Sequence, residues 1–372
     1  MCKDDDDLMT AFVVEPAFPV RLTGTAFERG LAQAAAGVAH ETVFAATIGR
    51  VEQARAEGVL DAAALEFLHR QRAFLLESDP HTMAELAGIA EGFDLPEDEL
   101  FIHQHLSLLR DLSKGAGLDA DGCSTFAIGE GPEGPLVVKN RDFSGIHVGI
   151  QRVFLHEGPD IETGRMLCVG SAGSPGAYSS GINAAGLALV DTHIGSRRHG
   201  VGWLRYFAMT RILATCRSVP EAIAFLRARR HAGGGSVTLA DRYGHVASVE
   251  FGTDLLGVEE GRRVWRTNHF VSPELSSFNF TDDGDRIDAN SFDRFAYLSR
   301  EVPVGDWTVP RAARLMATHA PDGPHCGPLC QHGEKDAART ISSAIFACNM
   351  LQLYFLEGNP CEGRWRVYDL TG

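Results

Sequence analysis

The chain changes character once, between Leu112 and Cys123, and that change limits the folds open to it. Ahead of it, segments at 25–36, 41–56, 61–76 and 82–91 are rich in Ala, Glu and Arg. Their apolar residues lie three and four apart, the period of an amphipathic helix. Asp61 and Thr82 are expected N-caps and Gly58 and Gly92 expected stops, and Leu95-Pro96-Glu97 opens a further helix through Leu109. Residues 1–20 are expected to be a tail, and roughly the first 110 residues an all-helical layer. From Cys123 the runs become short, β-branched and punctuated by Gly and Pro: 124–128, 136–141, 152–156, 166–169, 177–183 and 187–191. These predict consecutive antiparallel strands. Helices return at 203–215 and 219–228, strands at 236–240, 245–251 and 263–267, helices at 285–299 and 309–318, and strands at 340–346, 350–356 and 365–368. Helices, strands, helices and strands in that order predict an α+β design, two antiparallel sheets between helical layers.

Charge narrows the function. Lys+Arg number 34 against Asp+Glu 49, a net charge of -15, with no basic block, which argues against a nucleic-acid backbone or an anionic membrane as partner. No window of eighteen apolar residues is present, and the acidic start does not resemble a secretory signal, so a cytoplasmic protein is expected. Eight cysteines over this length do not form a small secreted disulfide framework.

The chemistry concentrates at Gly122-Cys123, after the Gly- and Asp-rich connector 114–122. An amide is a poor electrophile, so cleaving one takes an activated nucleophile, a proton acceptor and donors for the oxyanion. An N-terminal cysteine supplies the first two, since its α-amino group titrates at about 7.7–8.0. Exposing that terminus requires the thiol to attack the preceding carbonyl, and glycine there costs least sterically. The competing reading is a buried core thiol at a strand start, a common place for cysteine.

Four stretches decide between them: Cys123-Ser124-Thr125-Phe126, Lys139-Asn140-Arg141-Asp142-Phe143, Gly181-Ile182-Asn183-Ala184-Ala185-Gly186-Leu187-Ala188 and Arg266-Thr267-Asn268-His269. In this order they resemble the isopenicillin N acyltransferase-like family of N-terminal nucleophile hydrolases, with β-alanyl-amine amidases among its members. The resemblance implies a four-layer αββα sandwich. It also implies self-cleavage at Gly122-Cys123 into a helical fragment, 21–122, and a catalytic fragment, 123–372, that stay together as a heterodimer. By position Cys123 is the expected nucleophile and Asp142 the carboxylate that holds its amino group. Asn183 and Asn268 are expected beside the nucleophile, with Asn268 the expected oxyanion donor; a turn and a strand-end cap are their plain structural readings. Relatives carry arginine where this chain has Lys139, while Arg141 adjoins the aspartate, so both are candidates for substrate contact. Arg339 resembles a late arginine that orients substrate. Ser124 and Thr125 flank the nucleophile and could assist the cut.

Tyr178, Trp203, His193 and Phe270 are candidates to line an acyl pocket, though such aromatics are mostly core. Three His and two Cys lie between His319 and His332, and Cys326, Cys330 and His332 make a conceivable zinc set. The spacing is not a common finger pattern, and the family has a similar loop that requires no metal, so neither a metal nor a cofactor is expected. The predicted activity is hydrolysis or transfer of the acyl group of a small N-acyl amine, amino acid or metabolite amide through a thioester on Cys123, with an amine or acyl-thioester as possible co-substrate. The rival is an uncut, non-catalytic relative that serves as a binding or assembly protein.

Overall fold

A computed structural model describes residues 12–113, 122–196, 198–279, 288–319, 328–333 and 338–371, with side chains from 290 onward in the fourth segment. The chain opens with β1 (Val14–Pro16) and β2 (Val20–Thr23), then α1 (Ala26–Ala32), α2 (His40–Ala46), α3 (Ile48–Ala56), α4 (Ala62–Ser78), α5 (Pro80–Gly92), α6 (Glu97–His103) and α7 (Leu106–Leu112). Six strands follow: β3 (Ser124–Ile128), β4 (Leu136–Ser144), β5 (Gln151–Glu157), β6 (Met166–Ser171), β7 (Ser180–Asn183) and β8 (Ala188–Thr192). After α8 (Arg205–Thr215) and α9 (Val219–Arg227) come β9 (Ser236–Ala240), β10 (Val246–Phe251), β11 (Leu256–Glu260) and β12 (Arg263–Arg266). The chain ends with α10 (Asp288–Glu301), α11 (Val309–Met316), β13 (Ala338–Ala347), β14 (Gln352–Glu357) and β15 (Trp365–Asp369).

Alternation along the strands builds the layers. On β3 and β4, Ala127 and Val137 face a core shared with Val169, Val190 and Val246 of the other sheet. Their neighbours Phe126, Ile128, Leu136 and Val138 face the opposite way, onto Leu298, Trp307, Leu315 and Met316 around α10 and α11. The second sheet turns Cys168, Leu189, Leu239 and Val249 outward onto α8, α9 and the N-terminal helices. Both sheets are therefore covered on both faces, which defines an αββα sandwich. Among the described residues the first sheet runs β1-β15-β14-β13-β4-β3-β12 and the second β11-β10-β9-β8-β7-β6-β5-β2. The chain crosses between sheets after β4, so the run of expected antiparallel strands from 124 to 192 is divided, β3 and β4 in the first sheet and β5 to β8 in the second.

The leader also departs from expectation. It is not all helical, and the expected tail reaches into the fold. β1 pairs parallel with β15, and β2 pairs parallel with β5, closing one edge of each sheet. The expected helix over 41–56 breaks at Thr47 (φ −120°, ψ −80°), whose hydroxyl donates to the Val43 carbonyl at 2.6 Å. Asp61 caps α4 as predicted, but α5 starts earlier, with Asp79 as cap and Thr82 donating its N–H to it. The connector 114–121 lies outside the described residues. Among those described, no helix is long and apolar enough to cross a membrane.

Candidate active site

Cys123 stands directly before β3. Ser124 pairs with Asn140, so the Gly122-Cys123 peptide continues beside Arg141 and Asp142. The Gly122 N–H donates to the Asp142 carbonyl at 3.3 Å, and Cys123 Sγ lies 4.0 Å from the same oxygen. Cys123 is 6% exposed and lines a pocket together with Lys139, Arg141, Asp142 and Tyr178. Its surroundings are polar rather than a sealed apolar core.

The Asp142 side chain is buried and only half satisfied. Thr340 donates its hydroxyl to Oδ1 at 2.6 Å, whereas Oδ2 has no hydrogen-bond partner among the described residues. A Cβ at position 122 would stand 3.1 Å from that Oδ2, a tight contact that the carboxylate would have to relieve by shifting a few tenths of an ångström. Burial pushes the Asp142 carboxyl up to about 7, against the pull of Arg294, the Thr340 hydroxyl and Lys139.

Arg294 ties the site together. From α10, its Nη1 donates to the Cys123 carbonyl at 2.6 Å and to Ser124 Oγ at 3.1 Å, and its Nη2 donates to Asn268 Oδ1 at 2.9 Å. Burial draws its pKa down from the usual guanidinium range, while Asp142 and Cys123 oppose that. Asn268 lies just past β12, and its Nδ2 donates to the His193 carbonyl at 2.8 Å.

The two basic residues of β4 share the pocket but have different partners. Lys139 Nζ pairs with Asp191 Oδ1, and Arg205 Nε donates to the other oxygen at 2.8 Å. Burial opposes ionisation of Asp191, but Lys139 and Arg205 hold its pKa below the ordinary carboxylate value. Arg141 donates to Gln151 Oε1 at 2.7 Å and lies 5.3 Å from the centre of the Tyr178 ring. The leader supplies one wall of the pocket, including His103, Gln104 and Leu108. It also sends Asp111 to His199 Nε2 at 2.8 Å, and both His199 and His193 face the pocket.

Other predicted residues fall elsewhere. Asn183 is away from this group. Its Nδ2 donates to the carbonyls of Leu213 and Cys216, and its Oδ1 accepts from the backbone of Ala185 and Leu187. That uses all of its capacity, so it is built as a turn residue. Thr125 points between the sheets, its hydroxyl 3.1 Å from Thr238 Oγ1. Arg339 donates to Asn359 Oδ1 at 2.7 Å and does not line the pocket. Trp203 and Phe270 are core, packed against Phe225 and beside Ile194 and Leu275 respectively.

Arg294, Asp191, Arg205 and Thr340 carry no motif and escape the sequence reading. A faint signal exists for Arg294, since Ser291, Arg294 and Leu298 share one helical face and all are buried.

The two-sheet sandwich, with a cysteine at the head of an inner strand and a carboxylate beside it, is the architecture of N-terminal nucleophile hydrolases. The family model described as acyl-coenzyme A:6-aminopenicillanic acid acyl-transferase matches residues 130–362, more than half of the chain, and the chain belongs to that family. The match begins after Cys123, so the cysteine itself stands on the geometry above. No curated protein matches. Similar solved structures include a mutant of the conjugated bile acid hydrolase from Clostridium perfringens, 11% identical over 66% of this chain and 96% of that one, with a TM-score of 0.39. Another is penicillin V acylase from Agrobacterium tumefaciens, 14% identical over 67% of this chain and 86% of that one, also at 0.39. At that distance the likeness speaks to neither activity nor substrate.

Proposed function

We propose that the chain cuts itself between Gly122 and Cys123 and then works as a cysteine amide hydrolase or acyltransferase. The observation that supports this most is Asp142 Oδ2, a buried carboxylate oxygen beside Gly122 that has no hydrogen-bond partner among the described residues. A buried polar atom without a partner is costly. Cleavage would place an α-ammonium group at Cys123, within the same group of residues, and satisfy it.

In the cut, Cys123 Sγ adds to the Gly122 carbonyl carbon and its proton passes to the departing Cys123 nitrogen. The peptide bond becomes a thioester, and water then releases the Gly122 carboxylate. In turnover, the α-ammonium is the form reached once the freed amine has taken the thiol proton, and the thiolate of that ammonium–thiolate pair adds to the substrate amide. The oxyanion is received by the second N–H of Asn268 Nδ2, the one not engaged by His193. The leaving amine departs with the proton, and water or a second amine takes the acyl group from sulfur. Asp142 holds the α-amino group, and Arg294 fixes the Cys123 carbonyl and the Asn268 amide.

The pocket lining holds Arg50, Lys139, Arg141 and Arg205 against the carboxylates of Asp142 and Asp191. That excess of positive charge favours an amide whose acyl or amine part bears a carboxylate, such as an N-acyl amino acid. None of the described cysteines is paired in a disulfide, which suits a reducing, cytoplasmic setting. Intact mass of the purified chain tests the proposal. Two fragments parted between Gly122 and Cys123, and one uncut chain for Cys123→Ala, are expected; a wild-type chain that stays whole on long incubation refutes it.

A further inference from the structure

Three distant pieces of chain bring four side chains to one point behind the first sheet. His319 follows α11, Cys330 and His332 precede β13, and Cys361 lies in the turn between β14 and β15. Their ligand atoms all lie within 4.8 Å of one another. Cys330 Sγ is 3.6 Å from Cys361 Sγ and 3.5 Å from His332 Nε2. His332 Nε2 is 3.3 Å from Cys361 Sγ and 2.9 Å from His319 Nε2.

The three separations among Cys330, His332 and Cys361 approach the edges of a tetrahedron around one metal ion. Zinc bonds of about 2.3 Å to sulfur and about 2.0–2.1 Å to nitrogen give edges of about 3.8 Å between sulfurs, 3.4 Å between nitrogens and 3.6 Å between unlike atoms. His319 Nε2 lies 2.9 Å from His332 Nε2 and within 4.8 Å of both sulfurs, so it stands at the fourth corner of the group. A disulfide does not explain the group. Its sulfurs would stand about 2.05 Å apart, and it would leave two imidazoles turned toward it without purpose. The surroundings support ligation as well. Asn359 Nδ2 donates to Cys330 Sγ at 3.3 Å, the kind of hydrogen bond that orients a metal ligand.

We propose that His319, Cys330, His332 and Cys361 form a structural zinc site. This departs from the expectation of no metal, and the set differs from the one suggested by spacing. Cys361 replaces Cys326, which with His325 lies outside the described residues. Zn²⁺ takes two thiolates and two neutral imidazoles, releasing the two thiol protons to solvent, and the unit carries no net charge. Four protein ligands leave no open position for water, so the site staples rather than hydrolyses. What it staples is near the carboxylate described above. Gln331, between two ligands, donates its backbone N–H to Thr340 Oγ1 at 2.9 Å, and the Thr340 hydroxyl donates on to Asp142 Oδ1.

The test is metal analysis of the full chain purified without chelators, and it is independent of any turnover. About one zinc per chain is expected, bound more tightly than micromolar, and cobalt substitution should give the intense ligand-field bands of a tetrahedral S₂N₂ site. Cys361→Ser and His332→Ala should each lower metal content at least tenfold. Should those variants fail to fold, titration of metal-depleted wild-type chain with zinc and cobalt against a chromophoric chelator decides. No uptake at micromolar metal, a Cys330–Cys361 disulfide in the mass spectrum, or undiminished zinc in folded Cys361→Ser overturns the proposal.

Discussion

The raised pKa of Asp142 makes the uncut chain's stability depend on pH in a way that the cut chain's should not. An ordinary aspartate titrates near 3.9, and in the uncut chain burial holds Asp142 at about 7. Between those values the folded state keeps a proton that the unfolded state has lost, so stability falls as pH rises from about 4 to about 7 and then levels off. Three pH units at about 1.4 kcal/mol each make the penalty about 4 kcal/mol above pH 7. Cys123→Ala preserves the uncut state, and adding Asp142→Asn removes the titration while keeping an acceptor for Thr340. Thermal melts of the two variants from about pH 4 to about pH 8 should coincide at the acid end. They should diverge toward neutrality, the double variant becoming more stable by several degrees in Tm. Glu85, also raised to about 7 by burial, contributes the same slope to both and cancels. Processed wild type, with an ammonium beside the carboxylate, should lack the Asp142 slope. Parallel profiles for the two uncut variants would show that Asp142 is not a strained, lone carboxylate and would remove the physical reason given for the cut.

Three further outcomes are expected. Asn268→Ala removes the proposed oxyanion donor and the acceptor for Arg294, and steady-state kinetics should show kcat down about 100-fold or more with KM little changed. Arg141→Gln should raise KM about tenfold or more for amides bearing a carboxylate, the worth of one charge-assisted hydrogen bond, and leave uncharged amides alone. An equal effect on both classes would remove Arg141 from substrate binding. After processing, the fragments ending at Gly122 and starting at Cys123 should co-elute in size exclusion at neutral pH and part only in denaturant; separation in buffer alone would show that the leader is a removable propeptide.

What could be read from the sequence depended on how local its cause was. The helices of 203–228 and 309–318, and β3, β4 and β13, declare themselves by period, and the Gly122-Cys123 and Asp142 stretches by motif. β1 and β2 do not. Val14-Glu15-Pro16 and Val20-Arg21-Leu22-Thr23 are too short for any period, and they are strands only because β15 and β5 offer open edges. β11 was hidden by its charged, exposed residues. The family motif brought Asn183 into view, yet the turn it builds needs every polar atom it has. Arg294 resembles any helix-surface arginine until the fold buries it, and Cys361 has no sequence neighbour to mark it as a partner of Cys330.

The leader's place in the fold explains why a cut there need not dismantle the protein. Its β1 and β2 close one edge of each sheet, so removing it would expose two rows of unpaired backbone groups. Arg29 forks onto both oxygens of Asp160 at 2.7 and 2.9 Å in a largely buried pair. Gln71 exchanges two hydrogen bonds with Gly202, and Glu85 Oε1 accepts from the Gly176 N–H. Each would leave a buried polar or charged group unpaired on separation, at about 1–3 kcal/mol for a neutral group and more for a charge. The pocket wall built by His103, Gln104 and Leu108 would leave with the leader too. If the proposed cut before Cys123 occurs, the pocket can keep its shape, because the leader is held by these side-chain and strand contacts and not by that one bond.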